Sequence, residues 1–292
     1  SSSAKHMRHF PVVHLRGIFS SLGDAMSDRF LRTHVRIVVP QSSVDMLTDR
    51  FSADLEFGEC ELFGSEQVPL EAGHRLFLMG LGPFNLSSDD GKGFDVDGLE
   101  IALAIPGHLG IEAEHEWIDS LIEVFDLLPR RQDSVWQSPN FRPWMERLES
   151  SGSVMAGQSA EYWWVSDIDV ADALVRILLS SEPFPKQMKI SGRRSWSEEQ
   201  TLEELSLLYH RTIAGRTGRF NVEHLTAAPT PTIEVQSLMV SPQLPLGVEQ
   251  NARERPDLSP LHDLLYRIDG DGWRPLVPIR TALMHALADY ID

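Results

Sequence analysis

Residues 16–23 read RGIFSSLG, two glycines six positions apart with a serine midway between them. An apolar run, PVVHL, precedes this stretch, and a segment with helical character, DAMSDRFLRT, follows it. In a strand–turn–helix of this spacing each glycine has a physical task. The first makes the tight turn, the second admits a pyrophosphate against the backbone, and the third lets the helix lie close to the strand. Gly17 and Gly23 keep the two structural tasks, while Ser20 stands at the position of close approach and narrows it. The turn is therefore either a nucleotide site, with Gly17, Phe19, Ser20, Leu22 and Gly23 in contact, or a structural remnant of one.

Other side chains with chemical potential are scattered. The run His108-Leu-Gly-Ile-Glu112-Ala-Glu114-His115-Glu116 gathers groups that can ligate a cation from one helix face. Acids in a first helical turn equally complement the helix dipole, and that reading is preferred, so no metal is expected. Asp89, Asp90, Asp95 and Asp97 lack the regular spacing of a calcium loop and read as a solvated connection. Neither a G-x-S-x-G elbow nor a G-x-x-x-x-G-K-[ST] loop occurs. Trp136, Phe141, Trp144, Tyr162, Trp163 and Trp164 can stack on a ligand, form a core or offer a protein-binding surface.

The elements that must carry these residues alternate between strand and helix patterns, which predicts an α/β sheet. Strands are expected at 11–15, 34–39, 54–60, 74–81, 99–107 and 187–191. The nearly continuous apolar run at 74–81 predicts a central parallel strand. Helices are expected at 21–32, 43–51, 114–128, 167–180, 197–215 and 278–291. Ser197 is placed to cap the fifth of these and Gly215 to stop it, and Asp167 or Asp169 to cap the fourth. Residues 82–98 read as a loop, 129–166 as irregular and about 226–258 as a long Pro-rich segment.

In this order the pieces resemble the extended short-chain dehydrogenase/reductase family, which includes NAD-dependent epimerases and dehydratases. The glycine turn resembles the family's first βα unit. GLEIALAIPGHLG (98–110) resembles its sixth strand, and WVSDIDVADALVRIL (164–178) a later capped helix, with Asp169 at the capping position. DGWRPLVPIRTALMHALADY (271–290) resembles its C-terminal segment. The resemblance implies a Rossmann-like doubly wound parallel sheet with a small C-terminal α/β substrate-type lobe. It further implies a Tyr/Lys pair one helical turn apart as acid–base machinery. Four residues after Tyr162, Tyr209 and Tyr266 stand Ser166, Ile213 and Gly270, and Tyr290 lies two residues from the end, so the pair is absent. Val39-Pro40-Gln41-Ser42 lacks the acidic residue that would hold a ribose; Gln41, Ser42 and Arg16 could tolerate a phosphorylated ribose, and Glu59 stands near where the resemblance places an acid against the adenine.

The resulting expectation is a catalytically degenerate member that binds a protein partner or small molecule, without a cofactor. The alternative is an enzyme using NADP, NAD or a nucleotide sugar, with His108, Glu112 and His115 as substitute catalytic groups. A formal charge of −17 disfavours nucleic acid, which demands clustered cations. It disfavours an anionic membrane surface as well. The lone cysteine, Cys60, cannot form an internal disulfide and fits a reducing, cytoplasmic setting. Residues 1–6 resemble an expression scar, with Met7 the expected start. The expected domains are a Rossmann-like one over 7–130 plus 165–190 and a smaller lobe over 131–164 and 191–292.

Overall fold

The computed structural model describes residues 11–17, 20–53, 60–80, 94, 96–109, 116–132, 135–151, 160–220 and 253–291, without the side chains of 50–53. The chain divides into two compact units. The first comprises 1–139, 163–194 and 256–292, and the second 140–162 and 195–255.

The first unit is a Rossmann-like α/β fold around seven parallel strands: β1 (Val12–Arg16), β2 (Arg36–Val39), β3 (Glu61–Gly64), β4 (Arg75–Met79), β5 (Glu100–Pro106), β6 (Ser120–Val124) and β10 (Gln187–Ile190). Their order across the sheet is β3-β2-β1-β4-β5-β6-β10. The chain runs outward from β1 to β3 and then returns to place β4 on the other side of β1. The crevice at the carboxyl ends of β1 and β4 is thus the switch point where sheets of this kind bind ligands. As the apolar run predicted, β4 is central, with four of its five residues buried.

One face of the sheet carries the helices. Helix α1 (Ser21–Phe30) buries Leu22, Ala25, Met26 and Phe30, one stripe at helical spacing. This stripe joins Val13, Leu15, Phe77 and Met79 in a single core. To the same core, α2 (Gln41–Ala53) adds Leu47, α4 (Asp167–Leu179) adds Val170, Leu174 and Ile177, and α6 (Ser259–Asp269) adds Leu261, Leu264 and Leu265. The opposite face, with Leu76, Leu78, Leu103 and Ile105, is covered among the described residues by Leu70, Phe94, Val96, Trp117 and Ile118 of the connections. Helix α7 (Ile279–Ile291) closes the unit. Two short strands, β7 (Leu127–Leu128) and β9 (Val165–Ser166), pair beside the main sheet.

In the second unit, α3 (Phe141–Ser151) and α5 (Glu198–Thr217) accompany a minimal antiparallel pair, β8 (Glu161–Tyr162) and β11 (Trp196–Ser197). The Trp144 and Tyr162 rings meet edge to face at 5.5 Å, and Asn140 donates to the Tyr162 hydroxyl at 2.7 Å. Ser197 caps α5 in a reciprocal capping box with Gln200, as its position predicted.

Several expectations are corrected. Segment 114–128 is not a helix within the described residues but β6 and β7. Its Leu121, Ile122 and Val124 satisfy either period, and pairing to β5 and β10 on both sides decides for the strand. The third strand is Glu61–Gly64; of the expected 54–60 only Cys60 lies within the described residues, and it is outside the strand. Helix α5 continues through Gly215 to Thr217 and stops at Gly218, whose φ of 66° is the left-handed cap. Helix α3 arises in the supposedly irregular region, tolerating Pro143 because the first turn needs no amide donor there. Most of the Pro-rich segment lies outside the described residues. No described helix is long and apolar enough to cross a membrane.

One titratable pair lies inside this sheet. His14 on β1 is 4% exposed, and its Nε2 sits 3.1 Å from Nδ1 of His74, the residue before β4. Burial, the neighbouring His74 and Arg16 push the His14 pKa down to about 4. Its folded pKa lies below the unfolded value near 6.5, so between the two the unfolded chain binds more protons. Stability is therefore expected to fall by about 1–3 kcal/mol as pH drops from 6.5 to 4. In urea titrations across that window His14→Leu is expected to show a flatter slope, and an unchanged slope would refute the assignment.

Candidate functional site

The glycine turn is built as its spacing predicted. Gly17 ends β1 with φ 80°, a conformation that side chains resist. Ser20 adopts extended backbone and caps α1: its Oγ accepts from the Gly23 amide at 3.0 Å, and its carbonyl from the Asp24 amide at 2.9 Å. The serine thus turns its hydroxyl onto a helix-end amide that an anionic ligand would otherwise engage. Leu22 is fully buried in the core, and Gly23 is buried as well. Phe19 lies outside the described residues, as do Glu59, Glu112 and His115.

The neighbouring strand ends carry side chains of their own. Gln41 opens α2 just past the end of β2 and lies over Gly64, the last residue of β3, where a Cβ would collide with its amide oxygen. At the end of β4, Gly80 has φ 46°, and a Cβ on it would come within 2.7 Å of Trp136 Nε1. Trp136 is 3% exposed and belongs to the main core. Beyond β5, the Phe125 ring covers Gly107 in the same manner, and His108 beside it is exposed. Gly17, Ser20, Gln41 and Gly23 therefore all stand at the carboxyl edge of β1–β3, while His108 stands at that of β5.

Beneath the turn lies a buried carboxylate. Asp167, wholly buried at the start of α4, accepts from Ser21 Oγ at 2.6 Å, from the Arg130 amide at 3.1 Å and from Arg130 Nε at 3.3 Å. Ser21 also accepts from the Arg131 amide, and Arg131 pairs with Asp24 at 2.6 Å. A half-open cavity of about 300 Å³ adjoins this network, lined by Ser21, Asp24, Arg130, Arg131, His285 and Asp289. Ser166, rather than Asp167 or Asp169, caps α4, accepting from the Ile168 amide at 3.2 Å. Asp169 instead receives the Leu276 and Val277 amides at 2.8 and 3.1 Å, and burial raises its pKa despite them.

The strand count also changes one inference. Segment 98–110 pairs directly with β4, so it fills the fifth place in the sheet and 120–124 the sixth. The connection between them, 107–119, contains neither tyrosine nor lysine. His108, Glu112 and His115 all fall in that connection. The six aromatic residues named from the sequence are each 6% exposed or less, which favours a core role over an exposed docking surface. Cys60 is half-buried, and burial with Glu61 nearby pushes its thiol up to about 12, so it is no nucleophile. Gly80 and Arg130 escaped the sequence reading, and Trp136 entered it only as one of six aromatic residues. A glycine closing the apolar run at β4 was a visible signal for Gly80, but nothing in the sequence ties Trp136 to it.

No protein-family model matches the chain, and no curated protein sequence matches it. Solved structures do. The terminal R domain of the myxalamid PKS-NRPS pathway superposes with a TM-score of 0.51 at 9% identity, over 97% of this chain and 90% of that one. UDP-glucuronic acid 4-epimerase from Bacillus cereus, solved with UDP-glucuronic acid and NAD, gives 0.50 at 10%, over 95% and 98%. A triphenylmethane reductase from Citrobacter sp. gives 0.49 at 13%, over 96% and 100%. The first two define the class of fold, a Rossmann-like α/β protein.

The Asp167 network predicts a stability effect. Asp167→Ala removes the acceptor shared by Ser21 Oγ and the Arg130 amide, while Arg130 keeps Asp28 at 3.6 Å, and a loss of about 1–3 kcal/mol is expected in urea unfolding. A loss under about 1 kcal/mol would show that the carboxylate is dispensable.

Proposed function

We propose that this chain is a binding protein on a dehydrogenase-type fold, one that holds a protein partner or a small molecule and does not transfer hydride. The observation that carries the reading is Trp136 packed on Gly80 at the switch point, where a ligand would have to enter. Two further contacts agree with it: Ser20 caps the α1 amide and Gln41 lies over Gly64. The chain also lacks a Tyr-x-x-x-Lys pair anywhere.

A second reading rests on His108. It sits at the end of the fifth strand, within the connection where the resemblance places catalytic groups. Gly17 retains the left-handed turn of a nucleotide site, and the superposed epimerase was solved with NAD. On this reading His108, with Glu112 and His115, serves an NAD(P)- or nucleotide-sugar-dependent reaction.

Calorimetric titration with NADPH and NADH separates the two. The binding-protein reading expects no saturable heat and no change in nicotinamide absorbance with UDP-glucuronic acid. Saturable binding lost in Gly17→Val, together with turnover lost in His108→Ala, would establish the second reading instead.

A further inference from the structure

We infer that the cavity between α1, the strap at 130–131 and α7 binds a small zwitterion of the α-amino-acid class. The inference deepens the binding-protein reading, on which it rests for a small molecule other than a dinucleotide as the ligand. The space is about 300 Å³ and half open, at the small end of the range for ligand sites. None of the described residues that line it belongs to the seven main strands. Its walls come instead from the first turn of α1, the strap and the second half of α7.

The charges facing this space come in matched signs, Arg130 and Arg131 against Asp24 and Asp289. Arg131 gives one Nη to Asp24 at 2.6 Å. Arg130 gives Nε to Asp167 at 3.3 Å and places an Nη 3.6 Å from Asp28. A guanidinium carries five N–H donors, so both arginines retain donors for a ligand's carboxylate. An anion alone suits the place badly. Asp24 and Asp289 face the same space, and Asp28 and Asp167 flank Arg130, so the anion would meet like charge. A ligand with a cation beside its carboxylate answers both signs.

His285 shows where that cation belongs. Its Nδ1 is buried and has no hydrogen-bond partner among the described residues, a costly state for a ring nitrogen. His285 and Asp289 are four apart on α7 and so share one face, with Ala288 beside them. The same helix buries Ala282, Leu283, Ala286 and Leu287, and that packing fixes the direction of the face. Asp289 accepts the Gln132 amide at 2.6 Å through Oδ2, which holds its carboxylate in place. An ammonium between the two donates one N–H to His285 Nδ1 and another to Asp289. Its neighbouring carboxylate then meets the arginines of the strap.

Titration calorimetry of wild type with L-alanine, L-leucine, L-glutamate and L-arginine tests this, with NADPH titrated in parallel. Saturable heat is expected from at least one amino acid, weakened at least tenfold when that ligand is N-acetylated or replaced by its decarboxylated amine. Arg131→Gln and Asp289→Asn should each weaken binding at least tenfold, and the Arg131 side chain is 65% exposed, so its loss leaves the fold intact. His285→Leu should cancel the ligand-induced rise in melting temperature without lowering that of the free protein. Binding of the acetylated ligand or of the amine as tightly as the amino acid would show a site for one sign only and overturn the zwitterion. Affinity unchanged in both Arg131→Gln and Asp289→Asn puts the ligand elsewhere and overturns the site. No heat from any of the four amino acids overturns the inference and leaves the binding-protein reading intact. Saturable NADPH binding overturns both, because the small molecule is then a dinucleotide.

Discussion

The Asp167 carboxylate is the interaction on which the rest of the first unit depends. A charge with no exposed surface is costly unless other groups replace the water it has lost. Here the replacements come from separate parts of the chain: a hydroxyl on the first turn of α1, and the amide and guanidinium of Arg130 in the strap after β7. Satisfying one carboxylate thereby fixes how α1, α4 and the strap meet. The α1–α4 contact holds the glycine turn in place, so the geometry of the crevice is inherited from this buried charge. The network is also directional. It uses the Ser21 hydroxyl for one bond to Asp167 and one from the Arg131 amide, tying that hydroxyl down within the protein itself.

A second anchor works at the opposite end of the same helix. Arg75, at the start of β4, donates to the Ile177 and Glu182 carbonyls at 2.7 and 2.8 Å and pairs with Glu100 of β5 at 2.8 Å. Its guanidinium also lies 4.3 Å from the centre of the Phe184 ring. A cation at a helix C-terminus complements the carbonyls and the dipole together. Helix α4 is therefore pinned by an acid at its first turn, held by α1 and Arg130, and by a base beyond its last, held by Glu100 of the sheet. A helix held at both ends leaves little freedom to the core between, which is why Val170, Leu174 and Ile177 pack without appreciable exposure.

Much of this was legible in the residues. Short apolar runs located β1, β2, β4, β5 and β10, because these strands are buried on both faces, and period-3.6 patterns located α1, α4, α5 and α7. Segment 114–128 was misread because its apolar spacing satisfies both periods, and only pairing on two sides chooses between them. Gly17, Ser20 and Gly23 were legible because turn chemistry is local: a left-handed φ and a capping hydroxyl are decided within a few residues. The Asp167 network and the packing of Trp136 on Gly80 were not legible. Their partners lie 146 positions away for Ser21 and, for Gly80, on a different strand end, and no local rule links such pairs.

The strand ends show what the backbone path alone demands. Positive-φ glycines at the ends of β1 and β4 are demanded by the backbone path, because a Cβ there is strained or collides with a neighbour. Such residues persist for structural reasons even if nothing binds above them. Gly17 and Gly80 both meet that demand of the backbone path. The space left over an unoccupied backbone floor is itself costly, because its lining atoms lack partners. Trp136 over Gly80 and Phe125 over Gly107 fill that space with aromatic surface.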